Sequence, residues 1–149
     1  MLIAMEDVID VYEELDELVR DYFAKTEAPQ DCPPLDMDWD FYVTLQRRDQ
    51  LMLVTARDDK LLVGFLMYVI APHPHHRGLV SATCDILATR LDRRRNGIAS
   101  QLMHASELYF RHHSKVRMLI HGFRTCYRTK PLFSKLGFKL VEQAYMKRL

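Results

Sequence analysis

The sequence RRNGIA, from Arg94 to Ala99, decides how this chain is expected to fold. It follows an extended apolar run that ends near Thr89, and it opens a run with helical spacing that starts at Ile98. The first N–H groups of a helix lack intrahelical partners and carry a partial positive charge, so they can bind a phosphate. Gly97 and Ala99 are small and leave this backbone open. The stretch therefore predicts a strand, a turn and a helix N-terminus that bind a phosphorylated ligand.

Apolar periodicity on both sides of this turn predicts the other elements. They are helices over 6–25 and after Asp38, strands over 51–56, 61–71 and 79–91, a helix over 98–112, a strand over 116–121, a helix over 131–136 and a strand over 138–146. Asp38 is expected to cap the second helix, and Gly137 to end the fourth in the left-handed conformation. The order α-α-β-β-β-α-β-α-β predicts an α/β fold of the α+β kind, with a mixed sheet covered by helices.

Side-chain periodicity also predicts which faces are buried. The long helix after the turn is expected to bury four residues, Ile98, Leu102, Ala105 and Tyr109. Strict alternation along the third strand predicts that one of its faces carries Thr83, Asp85, Leu87 and Thr89. The opposite face is then expected to carry Cys84, Ile86 and Ala88.

Composition limits the class of protein. With 149 residues, of which 48% are hydrophobic and 28% charged, the chain fits one globular domain over 1–149. The net charge of +1 predicts no general attraction to nucleic acid or to a membrane surface. Three cysteines without a C-x-x-C pair, and acidic residues from Glu6 onward, favour a reducing, cytoplasmic location without a signal peptide.

With these elements in place, the chain resembles the GCN5-related N-acetyltransferase (GNAT) superfamily. The family's cofactor motif is Q/R-x-x-G-x-G/A between a strand and a helix, and Arg94 to Ala99 matches every fixed position. The Gly137-Phe138 pair matches a second family feature, between the last helix and the last strand. The resemblance implies a GNAT-like fold with a V-shaped splay between two parallel strands, and acetyl-CoA bound in that opening as a co-substrate without a metal.

The resemblance also implies particular cofactor contacts. The backbone of the third strand would pair with the pantetheine amides, at Leu87, Ala88 and Thr89. The turn would bind the pyrophosphate through Arg94, Arg95, Asn96, Gly97, Ile98 and Ala99, with a further hydroxyl from Ser100. A peptide-like pantetheine can be bound as an added strand, which agrees with this arrangement.

Two residues are candidates for the proton transfers of acetyl transfer. Asp85 is the only carboxylate on the third strand, and it is expected to act as a general base or to bind the acceptor. Many family members carry a proton-donating Tyr four residues before the glycine of the G-F pair. This chain has Phe133 there, which cannot donate a proton, and Tyr127 is the nearest replacement. His121, at the end of the fourth strand, could also reach the cleft.

Other residues suggest functions that the sequence disfavours. His73, His75 and His76 invite a metal-site interpretation, but no carboxylate or cysteine is spaced to complete a tetrahedral set, so no metal is predicted. Cys84 is interpreted as a small buried hydrophobe rather than an acyl-carrying nucleophile. The arginines over 93–95 could clamp nucleic acid, but the net charge and the lack of basic–aromatic interleaving disfavour that function.

The sequence therefore predicts an N-acetyltransferase that transfers acetyl from acetyl-CoA to a primary amine in a ternary complex. An acidic, aromatic segment around Trp39 would suit a cationic acceptor, such as a Lys side chain, a protein N-terminus or a small amine. The alternative is a non-catalytic GNAT-fold module that binds CoA or a protein partner, which Phe133 favours. The acceptor stays open, and so does assembly as a homodimer.

Overall fold

The computed structural model describes residues 1–25, 34–93, 96–122 and 130–142. In chain order, the elements are β1 (Leu2–Met5), α1 (Val8–Lys25), α2 (Trp39–Arg47), β2 (Leu51–Asp58), β3 (Leu61–Pro72), β4 (Val80–Thr89), α3 (Ile98–His113), β5 (Val116–His121) and α4 (Lys130–Lys135). A 3₁₀ turn over Leu91–Arg93 follows β4. The predicted α/β fold with a mixed sheet is confirmed.

The five strands form one sheet in the order β1-β2-β3-β4-β5. The first three pairings are antiparallel, and β4 pairs with β5 in parallel. Helices α1 and α2 cover one face through a core that includes Leu15, Val43 and Phe65. Helix α3 covers the other face through a second core that includes Leu102 and Phe110. The apolar run of β2 is buried on both faces, which explains why it lacks polar alternation.

The N-terminal segment is fixed to α2 and to the sheet by polar contacts. The side chain of Gln46 accepts a hydrogen bond from the N–H of Val8 at 2.7 Å, and it donates one to the carbonyl of Glu6 at 3.0 Å. Arg57 of β2 pairs with Glu6 at 2.9 Å and with Glu14 of α1 at 2.8 Å. These contacts satisfy the start of α1 and hold β1 at the edge of the sheet.

Three expectations require correction. Strand β1 was not predicted, because four residues directly before a helix give no periodic signal. The predicted last strand is not formed by residues 138–142, and residues 143–146 lie outside the described ranges. On α3, Ala105 and Tyr109 are only half-buried. The buried stripe of α3 consists of Ile98, Leu102, Met103, Ser106 and Phe110.

Local geometry explains two further features of the helices. Ser106 can be buried because its hydroxyl donates to the carbonyl of Leu102 at 2.7 Å. The predicted cap of α2 is confirmed, since the Asp38 side chain accepts from the N–H of Phe41 at 3.0 Å. The predicted left-handed end of α4 is confirmed at Gly137, which has φ 80°.

Candidate active site

Strands β4 and β5 separate before β4 ends. Their pairing runs from Val80 opposite Val116 to Cys84 opposite His121. Strand β4 continues to Thr89, still paired with β3 on its other side. Within the described ranges, no strand pairs with the β5-facing edge of β4 beyond Cys84. The backbone of Leu87, Ala88 and Thr89 therefore lies on a segment with one open edge, as the sequence-based hypothesis requires.

A bulge in β4 sets the position of Asp85. Met67 of β3 lies opposite Ile86, and the next residue of β3, Tyr68, lies opposite Cys84, so Asp85 has no partner across the ladder. An extra residue of this kind interrupts the alternation of side chains. Cys84 and Leu87 consequently pack toward α3, whereas Ile86 and Ala88 pack with the α1 and α2 core.

The predicted face of Asp85 is therefore wrong in part. Asp85 was expected to share a face with Leu87, but its carboxylate is exposed on the α2 side of the sheet. There the hydroxyl of Tyr42 donates a hydrogen bond to Asp85 Oδ2 at 2.7 Å. Burial, followed by this bond and the charge of Asp85, raises the pKa of Tyr42 well above its ordinary value of 10. Tyr42 therefore remains a protonated donor at neutral pH.

The turn before α3 presents an open helix N-terminus. Gly97 is the N-terminal cap residue with φ 73°, in the left-handed region, and no side chain caps the helix there. A Cβ on Gly97 would lie 3.8 Å from the nearest atom, Nε2 of Gln101. Asn96 and Gly97 are exposed, Ile98 is buried as the anchor of the helix, and Ala99 and Ser100 are half-buried. Arg94 and Arg95 lie outside the described residues.

Gly64 of β3 allows this helix to approach the sheet closely. A Cβ there would lie 2.9 Å from Cγ2 of Ile98, 3.1 Å from the carbonyl oxygen of Ala88 and 3.1 Å from Cγ2 of Thr89. Only a residue without a side chain fits such a contact. Gly64 thus brings together the open edge of β4 and the N-terminus of α3, which the sequence-based hypothesis assigns to one ligand.

A cavity of about 210 Å³ lies beside the turn, and Asp58, Val63, Arg93, Asn96 and Ile98 line it together with Met1. Arg93 pairs with Asp58 across this cavity at 3.2 Å. Nε of Arg93 also lies 3.9 Å from Asp92 Oδ2, so two carboxylates flank this guanidinium at the edge of the turn.

A buried polar pair lies on the α3 side, where the strands separate. The Tyr68 hydroxyl and Nε2 of His121 share a short hydrogen bond, and Nδ1 of His121 is buried with no partner among the described residues. Burial lowers the pKa of His121 to about 4, so the imidazole is neutral at pH 7. Burial also raises the pKa of the Cys84 thiol to about 12, so Cys84 is a poor nucleophile.

Aromatic rings enclose His121 from the C-terminal segment. Phe133 lies 5.5 Å and Phe138 5.0 Å from its ring centroid, and the two phenylalanine rings contact each other at 5.6 Å. His121 lies at the end of β5, as predicted, and the two phenylalanine rings partly cover its imidazole. Its access to the cleft stays a prediction. Tyr127, the predicted replacement for a proton donor at Phe133, lies outside the described residues.

The predicted acceptor side consists of aromatic and acidic residues of α2. The Trp39 indole N–H donates to Asp16 Oδ1 of α1 at 2.9 Å, and the Trp39 ring lies 5.6 Å from that of Tyr42. Phe41 is 54% exposed next to Tyr42, with 5.9 Å between the ring centroids. A large apolar side chain this exposed is available to contact a bound molecule.

Sequence reasoning missed three residues of this region, Tyr42, Gly64 and Tyr68. The contact of Tyr42 with Asp85 spans 43 positions, so no local pattern indicates it. A glycine inside an apolar strand is a recognised sign of close backbone approach, so Gly64 could have been found. Tyr68 gave no signal, because a buried tyrosine in a strand is usual.

Other described residues offer no metal site and no membrane span. The rings of His73 and His76 lie 4.8 Å apart in the turn after β3. However, no group of three or more His, Cys, Asp or Glu within the described ranges is arranged to bind a metal ion. None of the helices in those ranges is long and apolar enough to cross a membrane.

The comparison with protein families decides the assignment. Residues 12–138 match the model of the acetyltransferase (GNAT) family. The chain belongs to the GNAT acetyltransferase family. The match covers β2 to β5 and most of α1, so the open edge of β4 and the N-terminus of α3 both lie within this GNAT domain. No match was found among curated proteins.

Solved structures similar to this GNAT protein share its fold. One is a ribosomal-protein-alanine N-acetyltransferase from Brucella melitensis, with 23% identity, TM-score 0.71 and 100% of both chains covered. Another is a transcriptional regulator from Bacillus halodurans, with 17% identity, TM-score 0.77 and 99% of both chains covered. A third is an aminoglycoside acetyltransferase from an uncultured soil metagenomic sample, with 16% identity, TM-score 0.70 and 99% of this chain and 96% of that chain covered. These likenesses show the fold alone.

Proposed function

We propose that this GNAT protein is an acetyl-CoA-dependent N-acetyltransferase that transfers the acetyl group directly to a primary amine bound beside Asp85. The observation that carries the proposal is the open β4 edge from Leu87 to Thr89, which Gly64 holds against the open N-terminus of α3. An extended amide chain can pair with such an edge, and a diphosphate can bind such a helix N-terminus. Acetyl-CoA carries both groups in one molecule.

The proposed cofactor contacts are those that the family resemblance implies. The backbone of Leu87, Ala88 and Thr89 pairs with the pantetheine amides. The pyrophosphate is bound by the turn and the start of α3, through Arg94, Arg95, Asn96, Gly97, Ile98, Ala99 and Ser100. Arg93 lines the cavity beside the turn, where Asp58 is its ion-pair partner.

The proposed chemistry is direct attack by the amine. The amine nitrogen forms a bond to the thioester carbonyl carbon, the carbon–sulfur bond breaks, and CoA leaves as the thiolate. Asp85 accepts the proton that the amine loses, directly or through one water. The thiolate takes a proton from water or from Tyr127. The raised pKa of the Cys84 thiol argues against an acyl-cysteine intermediate next to Asp85.

The acceptor is proposed as an amine, whose identity is left open between a protein Lys or N-terminus and a small cationic amine. Two similar structures are named for ribosomal-protein-alanine and for aminoglycoside acetylation. Both names support an amine, but they differ in the size of the molecule. The exposed Phe41 and the carboxylate of Asp85 lie on the same side of the sheet, which supports a cationic molecule there.

The proposal is tested by measuring CoA release from acetyl-CoA with a panel of protein and small-molecule amines. Asp85→Asn should reduce kcat/KM by about 100-fold or more, the usual contribution of a positioned base. Asp59→Asn is the matched control. Asp59 lies in the β2–β3 turn with φ 53°, which asparagine also adopts, so activity should be unchanged. Full activity of Asp85→Asn would contradict the role of Asp85.

A second candidate function is a non-catalytic module that binds acetyl-CoA without turnover. Phe133 favours it, because this ring packs on His121 and Phe138 where a proton donor is expected. Binding of acetyl-CoA without CoA release for any amine would support this function. Turnover that is lost in Asp85→Asn would exclude it.

A further inference from the structure

The hydrogen bond between Tyr42 and Asp85 joins two parts of the chain that no local pattern connects. The Tyr42 hydroxyl on α2 donates to Oδ2 of Asp85 in β4 at 2.7 Å. Asp85 is the bulged residue of β4, so no β3 residue lies opposite it. Tyr42 is the hydrogen-bond donor that the structure gives to this carboxylate within the described ranges.

The hydroxyl of Tyr42 is held in place by the packing of α2. Its ring is half-buried in the core under α1 and contacts the rings of Trp39 at 5.6 Å and Phe41 at 5.9 Å. Trp39 is in turn bonded to Asp16 of α1 at 2.9 Å. Because its neighbours fix the Tyr42 ring, the hydroxyl restricts the rotation of the carboxylate that it binds.

We propose that Tyr42 is a positioning residue for Asp85, an inference that rests on the proposed function. Tyr42 occupies Oδ2 and thereby leaves Oδ1 to accept the proton of the attacking amine or of a bridging water. The proton passes from the amine to Oδ1 of Asp85, while Tyr42 keeps its own proton throughout. The bond thereby holds the carboxylate in one orientation.

The charged and titratable groups around the pair are consistent with this assignment. Asp38, at the N-terminus of α2, acts on Tyr42 with the same sign as Asp85, and both keep the phenol protonated. Cys84 lies next to Asp85 in β4, and its thiol is uncharged because burial raises its pKa. Neither Asp38 nor the Cys84 thiol can replace the Tyr42 hydroxyl as a strong donor to Asp85.

The test compares Tyr42→Phe with wild type, and Tyr12→Phe serves as the matched control. Phenylalanine keeps the ring packing and removes only the hydroxyl. Tyr12 also bonds a carboxylate, Glu13 at 3.3 Å, but on the exposed surface of α1. We expect kcat to fall about tenfold in Tyr42→Phe, with the KM for acetyl-CoA unchanged, and to stay at the wild-type value in Tyr12→Phe.

A double-mutant comparison separates positioning from a structural role. In an Asp85→Asn background, Tyr42→Phe should cause no further loss of kcat, because the carboxylate that Tyr42 positions is already absent. An equal loss in both backgrounds would overturn the positioning role while leaving the proposed function intact. A wild-type protein without any acetyl-CoA-dependent turnover would overturn both.

Discussion

Cys84 and His121 form the last residue pair between β4 and β5. Beyond this pair, β4 continues to Thr89 with an edge that no described strand covers. The same pair marks the position of the buried His121 imidazole, whose Nδ1 has no partner within the described ranges. The point where the strands separate thus combines open backbone with an unsatisfied side chain, and both features support a ligand there.

Gly64→Ala should lower both stability and affinity for acetyl-CoA. The new Cβ on β3 would lie 2.9 Å from Cγ2 of Ile98 and 3.1 Å from the carbonyl oxygen of Ala88, so both atoms must shift away from β3. Overpacking of this kind costs about 1–3 kcal/mol, which thermal or urea unfolding would detect. Gly122→Ala is the stability control, because a Cβ there meets nothing within 4 Å. A Gly64→Ala protein as stable as wild type would refute the close approach.

Tyr68→Phe should destabilise the protein by about 1–2 kcal/mol, since it removes the hydrogen-bond partner of His121 Nε2 and leaves a second buried nitrogen unsatisfied. The ring and its contact with Phe110 at 5.3 Å would be retained. Denaturant unfolding measures the loss. Tyr12→Phe, on the exposed face of α1, should change stability by less than about 0.5 kcal/mol. Equal effects of the two substitutions would show that the buried bond contributes nothing.

The stability of the protein should fall as the pH falls from 6.5 to about 4. The pKa of His121 is lowered by burial from 6.5 to about 4, so the unfolded chain binds this proton at a higher pH than the folded protein. Stability therefore rises with pH through this window, by about 2–3 kcal/mol from this group. Unfolding experiments across the window should show the slope in wild type.

His121→Gln should flatten that slope, because an amide does not titrate yet can still bond the Tyr68 hydroxyl. His104→Gln, on the exposed surface of α3, is the control and should leave the slope as it is. A His121→Gln protein with the wild-type slope would show that another group causes the pH dependence.

The elements with strong apolar periodicity could be predicted from the sequence. Helix α1, expected over 6–25, is Val8–Lys25, and β5 was predicted with its observed bounds, Val116–His121. The start of α3 at Ile98 was also predicted, because Gly97 precedes a helical pattern. In each case a local pattern and the tertiary environment agree.

The site could be predicted only in part. Asp85 was identified as a carboxylate on β4, but its face was not, because a bulge shifts the alternation without leaving a mark in the sequence. Its partner Tyr42 depends on how α2 packs on the sheet, and a contact across 43 positions has no local signal. Residues Met103 and Phe110 of α3 were missed because packing selected a stripe rotated from the predicted one.

The most direct test of the account is a calorimetric titration with acetyl-CoA of wild type, Gly97→Val and Gly78→Val. Both glycines have positive φ, 73° and 83°, so both substitutions strain the backbone alike. The two variants differ in position, because Gly97 caps α3 whereas Gly78 lies in the turn between β3 and β4. Wild type and Gly78→Val should bind acetyl-CoA, and Gly97→Val should bind it at least about tenfold more weakly, because its side chain blocks the N-terminus of α3. No binding by wild type at millimolar acetyl-CoA, or equal affinity of the two variants, would contradict the account.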